Sequence, residues 1–528
     1  MDVQDAGPVT EFDVVVLGAG PAGCAAATLL ARRSHRVALV RPTTPPAAAL
    51  AESVPPSADR ILQELGFLDA IERGRFHRNL GNSVWWAGDA PHVESFAASR
   101  VGFHTDRLSL ETVLVAEAER AGVSVLDDAS ARAADEDATG WTIRCEGGDG
   151  RTHVLTAAWV IDATGRHGFL ARREGRTPDR STTTLALVRR WRHPGGWPGL
   201  EPGHTLVESY ADGWAWSVPL TDEVRCFTAM IDQPRAGSAG SDVTSMLDAE
   251  LARTVHLGAV RDGAEPLGDA WACPAALYTA SSFGRPGLLL AGDAGSFIDP
   301  LSSFGVKKAL SSGWLAGVTA HTALVDPPMG ATAIDFFDAR EHEVYRRYRR
   351  ASVPFFEAGA ERYGTSYWVT RAEAARHAGE DRDGVGSPAP GEATGRTTHS
   401  AGGAADPDRW IAEVPEADVR RAFDEIRARE RLSARPGASV RVFERPGIEG
   451  HRIVLQDHLG SDALPEGMRW VRGVDLTRLV RIAPEHAEVP DGWTAYNAVS
   501  APVSLPDYLT ALATAFAAGF LEHETPPR

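Results

Sequence analysis

The first part of the chain alternates apolar runs with segments of helical periodicity. An apolar run at 12–17 precedes three closely spaced glycines, after which a helix is predicted to about residue 33. Further apolar runs occur at 36–40 and 159–162. Buried strands that alternate with helices are typical of a parallel sheet covered by helices. The pattern therefore predicts an α/β, Rossmann-like unit that begins with residues 11–180.

The middle of the chain changes to a period of two. Apolar and polar residues alternate in several short runs between 181 and 275, which is typical of half-buried strands. We predict an antiparallel sheet here that forms the wall of a substrate cavity. The first unit then resumes, so that 11–180 and 276–376 form one domain with a helical extension. The sheet domain, 181–275, is interleaved with it.

The last part of the chain reads as a separate module. Residues 377–407 are rich in Gly, Ala, Ser, Thr and charge with almost no large apolar side chain, which predicts a flexible linker. Beyond it, helical and strand patterns predict a small α+β module at 408–528. This module carries no catalytic motif that we can identify. It either grips a peptide or partner protein or covers the catalytic body.

Composition narrows the class of protein. The net charge of −17 argues against nucleic acid or an anionic membrane as a partner. No apolar run approaches the length of a membrane span, and the first residues lack the basic and apolar regions of a signal peptide, so we expect a cytoplasmic location. The four cysteines are scattered, which predicts buried thiols and no metal site.

The glycines after the first strand match a dinucleotide-binding fingerprint. Gly18, Gly20 and Gly23 stand between a strand and a helix, where they allow a tight turn and close approach to a pyrophosphate. An acidic residue is expected at the end of the second strand to bind a ribose, but Arg41 stands there. Arg41 either lies against the adenine or a phosphate of the cofactor or points to solvent.

A second loop, at 291–304, supplies groups suited to a flavin. Asp293 can accept a hydrogen bond from a ribityl hydroxyl, while Gly292 and Gly305 let the backbone approach a large planar ring. Pro300 makes the turn beside the ring rigid. A helix predicted to begin near Val306 would direct its amino terminus at the ring edge where negative charge accumulates.

These motifs together resemble a known family. Gly18 to Gly23, Glu52-Ser-Val-Pro-Pro56, Asp106-Arg107, Asp162-Ala-Thr-Gly165 and the loop from Gly292 to Pro300 are similar to the p-hydroxybenzoate-hydroxylase-fold flavoproteins, in the branch of the halogenases. The resemblance covers roughly residues 11–371. It implies that the cofactor is FAD, that Arg107 reaches this FAD, and that Asp293 is its ribityl ligand.

A tryptophan-rich segment bears on the type of reaction. Residues 213–219 are similar to the W-x-W-x-I-P motif of halogenases, in which we select Trp216 as a candidate catalytic residue. Those enzymes also use a lysine in a strand that corresponds to 76–86 here, and this stretch has none. Arg78 is no substitute, because a guanidinium stays protonated and is a poor nucleophile. We therefore rank an FAD-dependent monooxygenase first, a halogenase second and a non-oxygenating flavin oxidoreductase third.

Lys307 and Lys308 are the only lysines in the chain and directly follow the flavin loop. They either support the reduced flavin as catalytic residues or are solvated charges in the first turn of a helix. This region resembles flavoproteins that oxygenate a tryptophan of a partner polypeptide to mature tryptophylquinone enzymes. The resemblance implies an electron-rich aromatic substrate, free or as a peptide-bound tryptophan, and a possible partner polypeptide. The reductant would be NAD(P)H or a flavin reductase.

Several further side chains are candidates for orienting that substrate. Glu208 is the candidate that we place among the catalytic residues. The others are aromatic residues and histidines in the predicted cofactor and sheet domains: His104, His167, Tyr210 and Trp214.

Overall fold

The computed structural model of the protein describes residues 9–43, 50–97, 102–179, 182–197, 201, 203–232, 242–380 and 414–524. Its strands, in chain order, are β1 Val9–Leu17, β2 Val37–Val40, β3 Ala51–Val54, β4 His77–Asn79, β5 Gly81–Trp85, β6 His92–Ser95, β7 Gly102–Asp106, β8 Ser124–Leu126, β9 Ala129–Asp137, β10 Gly140–Gly147, β11 Thr152–Asp162, β12 Thr177–Pro178, β13 Thr184–Arg192, β14 His204–Tyr210, β15 Gly213–Pro219, β16 Val224–Asp232, β17 Glu265–Pro274, β18 Tyr278–Thr279, β19 Gly284–Arg285, β20 Leu288–Leu290, β21 Ser296–Phe297, β22 Ala434–Pro436, β23 Arg441–Glu449, β24 Arg452–Gly460, β25 Trp470–Val471, β26 Val474–Asp475 and β27 Leu521–His523.

The helices follow the same order along the chain. They are α1 Pro21–Arg32, α2 Asp59–Glu64, α3 Leu68–Arg73, α4 Arg107–Arg120, α5 Val243–Leu251, α6 His256–Arg261, α7 Gly305–Val325, α8 Gly330–Tyr363, α9 Ser366–Glu380, α10 Glu416–Arg427, α11 Leu476–Ile482, α12 Val489–Val499 and α13 Leu505–Ala517.

A mostly parallel sheet forms the centre of the first unit. Its strand order is β19-β20-β11-β1-β2-β8. Strands β20, β11, β1, β2 and β8 run parallel to one another, whereas β19 is antiparallel to β20 and β10 is antiparallel to β11. The apolar run of β1 is buried, as expected for a strand with helices on both faces. Helices α1 and α7 pack so closely that a Cβ added at Gly313 would lie 2.0 Å from the carbonyl oxygen of Ala22. The predicted Rossmann-like unit is confirmed.

A seven-stranded sheet provides the second large layer, in the order β17-β13-β16-β15-β14-β5-β6. All neighbours are antiparallel except β14 and β5. One face carries Leu187 and Phe227, which pack in a core with side chains of α5 and α6. The other face carries Ala186 and Trp214, which pack with Trp368 of α9. The predicted fold class is confirmed, and β5 and β6 join this sheet from outside the predicted range 181–275.

The described residues fall into two compact units, one within 1–325 and 337–395 and the other within 326–336 and 396–528. The second contains helices and short two-stranded sheets around its own core, as predicted for an α+β module. Helix α13 begins after Ser504, whose hydroxyl accepts a hydrogen bond from the Asp507 amide, and buries Tyr508 and Leu512. The predicted linker begins inside α9, which continues to Glu380; its remainder, 381–407, lies outside the described residues. The other domain limits remain predictions.

Candidate cofactor and substrate cavity

The turn between β1 and α1 leaves space that only a glycine preserves. A Cβ added at Gly20 would meet no atom within 4 Å, and no side chain caps the helix that follows. Gly18 and Gly23 have a different role, since added Cβ atoms would lie 2.5 Å from Ala163 O and 1.8 Å from Gly18 O. Gly20 therefore borders open space at an uncapped helix terminus, a setting suited to a pyrophosphate. Gly18 and Gly23 allow the strand, the helix and β11 to pack closely.

The loop after β20 is held by a buried ammonium group. Lys308 Nζ donates hydrogen bonds to Ser296 O at 2.5 Å and Gly292 O at 3.2 Å, and it lies 3.5 Å from Asp293 Oδ1. The side chain of Lys308 is 1% exposed. A buried cation is tolerated when it is paired and hydrogen-bonded, as here. Lys308 thus fixes the backbone that carries Asp293. Its side chain does not line the large cavity that Asp293 and Gly20 border.

Lys307 has a different environment. Its side chain is half-buried, and Nζ lies 5.4 Å from the ring centroid of Phe304. The interpretation of both lysines as solvated helix charges is therefore wrong for Lys308. Neither lysine borders the cavity, so a direct catalytic role for either finds no support in the geometry.

Two short motifs place arginines at the same cavity. Asp106 caps α4 by accepting a hydrogen bond from the Ser109 amide, so that Arg107 opens the helix with its side chain at the cavity. Arg166 follows the turn after β11 and donates to the Pro274 carbonyl at 2.9 Å. Asp162, fully buried at the end of β11, orients this turn by accepting hydrogen bonds from the amides of 164, 170 and 171.

Carboxyl groups line the same cavity as these arginines. Glu52 on β3 lines the cavity together with Asp293 and Asp299. Burial raises the pKa of the Glu52 carboxyl, and the guanidinium of Arg107 opposes that rise. The cavity therefore holds a carboxyl group whose ionisation is opposed by burial and favoured by nearby positive charge.

The seven-stranded sheet supplies the apolar wall. Trp214 and Trp216 point to the same side of β15 because side chains alternate along a strand, and their rings stack with centroids 4.9 Å apart. Small side chains of neighbouring strands line the cavity near this pair: Ala186, Thr205, Val207, Thr228, Cys273 and Ala275. Large aromatic faces beside small residues form a slot suited to a planar aromatic group.

These elements border one continuous cavity. It is lined by Gly20, Arg107, Asp293, Pro300, Gly305 and Val306 of the predicted cofactor site and by Trp216 of the sheet. Four features fit the pyrophosphate and ribityl groups of FAD: the open space at Gly20, the uncapped terminus of α1, the Asp293 carboxylate and the Arg107 guanidinium. Gly292 itself packs against α1, since its Cβ would lie 2.9 Å from Ala22 Cβ.

Two predicted residues lie elsewhere. Arg41 does not line the cavity; its guanidinium donates to Glu111 at 2.9 Å and to Asp127 at 3.2 Å. Glu208 is buried on the opposite side of β14 from Val207, which lines the cavity. Its carboxylate accepts hydrogen bonds from the amides of 255, 256 and 257 and so caps α6. Arg41 is thus an ion-pair partner outside the cavity, and the position of Glu208 gives no support to its predicted catalytic role.

Among the candidates for orienting the substrate, some lie at the cavity and others do not. Trp214 lines the cavity. Tyr210 donates to Glu250 at 2.9 Å, and the buried His104 lies 2.9 Å from the Gly203 carbonyl oxygen. Neither they nor His167 border the cavity.

Four titratable residues of the cavity were not selected from the sequence. Glu52 and Asp299 lie within motifs that carry the family resemblance, and Arg166 directly follows one of them. Their positions in the sequence could therefore have indicated a role at the site. Cys273 was predicted to be a buried thiol, but it lines the cavity. The strand pattern around Cys273 predicts a strand, but it could not show which end of that strand meets the flavin loop.

Comparisons with known proteins agree with this arrangement. Residues 11–312 match the family described as FAD binding domain. A tryptophan 2-halogenase of Chondromyces crocatus is 27% identical over 374 residues, which cover 68% of this chain and 70% of that protein. The flavin-dependent halogenase armH3 of Armillaria mellea is 26% identical over 364 residues, which cover 64% and 72%. The predicted cofactor FAD and the halogenase-like resemblance are confirmed.

Solved structures share the fold over nearly the whole chain. CmlS, a flavin-dependent halogenase, has a TM-score of 0.74 at 18% identity, covering 98% of this chain and 96% of that one. QhpG, a peptidyl tryptophan dihydroxylase essential for tryptophylquinone cofactor biogenesis, has a TM-score of 0.63 at 24% identity, covering 97% and 100%. At these identities the likeness shows a common fold. Within the described ranges, no helix combines the length and apolar character needed to cross a bilayer.

Proposed function

Because this chain belongs to the FAD binding domain family and is an FAD-dependent enzyme of the oxidoreductase type, we propose that it is a monooxygenase. It would hydroxylate an electron-rich aromatic group, in particular the indole of a tryptophan. The observation that carries this proposal is the composition of the cavity wall. Trp214 and Trp216 form an aromatic slot, and neither lysine of the chain borders it.

The lack of a cavity lysine supports oxygenation over halogenation in this proposal. In the halogenases that this chain resembles, a lysine amine carries or orients the halogenating species. In this protein, Lys308 instead binds backbone carbonyls and Asp293. The cationic side chains at the cavity are Arg107 and Arg166. A guanidinium stays protonated and cannot act as that amine.

The cavity residues have distinct roles in this reaction. Gly20, Arg107 and Asp293 would hold the FAD, with Asp293 accepting a hydrogen bond from the ribityl chain. When bound and reduced, FAD supplies the activation of dioxygen. Trp214 and Trp216 would orient the substrate ring by stacking and exclude water from the reacting carbon.

A peptide-bound tryptophan is the substrate that we favour. The support is the fold shared with QhpG, which acts on a peptidyl tryptophan, over nearly the whole of both chains. A free aromatic molecule is the simpler alternative. The reductant would be NAD(P)H or a separate flavin reductase.

Product analysis tests this proposal. Purified enzyme with FAD, a reductant, labelled dioxygen and tryptophan-containing peptides is analysed by mass spectrometry, with and without bromide. We expect a peptide product that carries labelled oxygen and is unchanged by bromide. A brominated product formed at a comparable rate would overturn the ranking of the two reactions.

Halogenation of an aromatic substrate is the second candidate. Its support is sequence similarity, because the tryptophan 2-halogenase and armH3 are both named halogenases. This function requires a group other than a cavity lysine to orient the halogenating species. The product analysis decides between the two reactions directly.

The second unit is the proposed site of polypeptide recruitment. Residues 414–524 bury a core of their own, so a folded surface is available for such a role. We expect a chain ending at Asp406 to bind a substrate polypeptide more weakly than the full chain, with unchanged FAD content. Equal affinity would favour the alternative role of a cover.

A further inference from the structure

A second, much smaller cavity adjoins the cofactor cavity. Its volume is about 20 Å³, which is room for one water molecule. Two residues, Ile298 and Asp299, line both cavities and so form the wall between them. The other lining residues come from the start of β13 and from α8, α9 and nearby loops, among them Asp179, Thr184, Tyr348, Arg349, Ser352 and Arg371.

The Asp299 carboxyl sits in this wall with a defined local geometry. Its Oδ1 accepts a hydrogen bond from the Leu301 amide at 3.0 Å, which caps the short 3-10 helix Pro300–Ser302. A carboxylate has two oxygens, and each of them can accept more than one hydrogen bond. Asp299 therefore combines a fixed position with a titratable group that borders both cavities.

Charged groups surround Asp299 on the side of the small cavity. Arg349 pairs with Asp179, and Arg371 donates to Asp232 at 2.7 Å and to Thr184 Oγ1 at 2.8 Å. The tyrosines nearby are Tyr348 and Tyr367, and burial raises the pKa of Tyr348 to about 12. On the cofactor side the charged groups are Glu52, Arg107, Arg166 and Asp293.

We propose that the Asp299 carboxyl relays protons between the water-sized cavity and the cofactor cavity. Burial raises the pKa of Asp299, while the Leu301 amide, Arg371 and Arg349 oppose that rise. The neutral acid can thus persist at pH values where an exposed aspartate is ionised. The two arginines stabilise the carboxylate during the interval before it is reprotonated.

The relay supplies a proton that the chemistry consumes. An aromatic hydroxylation uses one dioxygen, a hydride equivalent from the reductant, one proton and the substrate C–H, and yields the C–OH product and one water. Asp299 releases its O–H proton on the cofactor side and is reprotonated through the water of the small cavity, which passes on a proton from solvent and so remains neutral. The inference rests on the proposed function only in this demand for a proton, which aromatic halogenation by a reduced flavin shares.

Asp299→Asn tests the relay without removing the cap, because an asparagine oxygen also accepts a hydrogen bond from the Leu301 amide. In the FAD-loaded full chain, pH-dependent infrared difference spectra should show a protonated carboxyl above the usual pH range of aspartate. We expect that band to disappear in Asp299→Asn. Subtracting the variant spectrum separates Asp299 from Glu52 and Glu341, whose pKa values burial also raises.

Turnover provides the second measurement. We expect Asp299→Asn to lower turnover at neutral pH by about 100-fold, with a larger solvent isotope effect and partial rescue by small carboxylic acids. Asp299→Glu should recover part of the rate. Ala375→Val, which narrows the small cavity and keeps the Asp299 carboxyl, should raise the isotope effect with FAD content unchanged.

Glu208→Gln is the matched control, because it changes another buried carboxylate cap that borders neither cavity. Its isotope effect should equal that of the wild type. An unchanged isotope effect and pH profile in Asp299→Asn would overturn the relay. If the wild type oxidises no substrate, the proposed function fails, while the presence or absence of the Asp299 carboxyl band still decides the relay.

Discussion

The glycine end of the cavity and its tryptophan wall are constructed in opposite ways. The glycine end is one short stretch of backbone whose essential property is the absence of a side chain at Gly20. The wall consists of side chains from five neighbouring strands, with Trp214 and Trp216 as its largest members. Substitution at the first should therefore remove the cofactor, whereas substitution at the second should change chemistry and retain it.

The largest effect is expected at the glycine end. Gly20→Val should fold and lose bound FAD, because its side chain enters space that is empty of protein atoms and suited to the pyrophosphate. Flavin absorbance of the purified protein and its thermal unfolding measure the two properties. Gly23→Ala is the contrasting variant, since its Cβ would lie 1.8 Å from Gly18 O and should prevent folding. Normal FAD content in Gly20→Val would contradict the site.

The two lysines after the flavin loop should respond very differently to substitution. Lys308→Met should lower the free energy of unfolding by ~3 kcal/mol and weaken FAD binding, because it leaves two backbone carbonyls and the partly exposed Asp293 without their cation. Lys307→Met should change stability by less than ~1 kcal/mol, as for a half-buried surface charge. Chemical denaturation and FAD titration measure both variants. Equal effects would show that Lys308 does not fix the loop.

These two lysines show what the sequence could reveal. Their position directly after the flavin loop was evident, and so was the chemistry of Gly20, Asp293 and Gly305, because these features are local in the chain. Which lysine turns inward depends on the carbonyls of Gly292 and Ser296, which α7 meets only in the folded protein. Burial of that kind is set by tertiary packing and has no local pattern.

Glu208 shows a signal that was present and not used. Thr205 and Val207 line the cavity, and strand alternation alone places Glu208 on the opposite side. Arg166 differs, because its contact with Pro274 joins segments 108 residues apart. The strand pattern predicted the sheet, but the parallel pairing of β14 with β5 links residues too distant for any local pattern to indicate.

A buried histidine next to the sheet gives the protein a dependence on pH. Burial lowers the pKa of His104 to about 3, with His77, His204 and Arg225 adding to the decrease. The unfolded chain therefore binds a proton below about pH 6.5 that the folded chain does not bind until about pH 3. This histidine should reduce stability by ~2 kcal/mol between pH 7 and pH 5.

His104→Gln isolates that contribution, since the amide can still donate to the Gly203 carbonyl. Urea denaturation at several pH values should show a shallower loss of stability in acid for the variant than for the wild type. Carboxyls with raised pKa act in the opposite direction and cancel in the comparison. Parallel pH curves would show that His104 titrates normally.

The cap at Glu208 should contribute to stability and hardly to turnover. Glu208→Gln should cost ~1–2 kcal/mol of stability, because a neutral amide replaces the carboxylate that accepts three backbone hydrogen bonds. FAD content and turnover should stay close to those of the wild type. A large loss of turnover in a stable Glu208→Gln protein would restore the catalytic role.

Time-resolved flavin fluorescence tests most directly whether cofactor and aromatic wall share one chamber. Tryptophans that contact the flavin quench its emission by electron transfer, so the wild type should be strongly quenched. Trp214→Phe combined with Trp216→Phe should lengthen the emission lifetime. Trp191→Phe, on the opposite face of the same sheet, should not change it. A lifetime that is equally short in all three proteins would contradict the account.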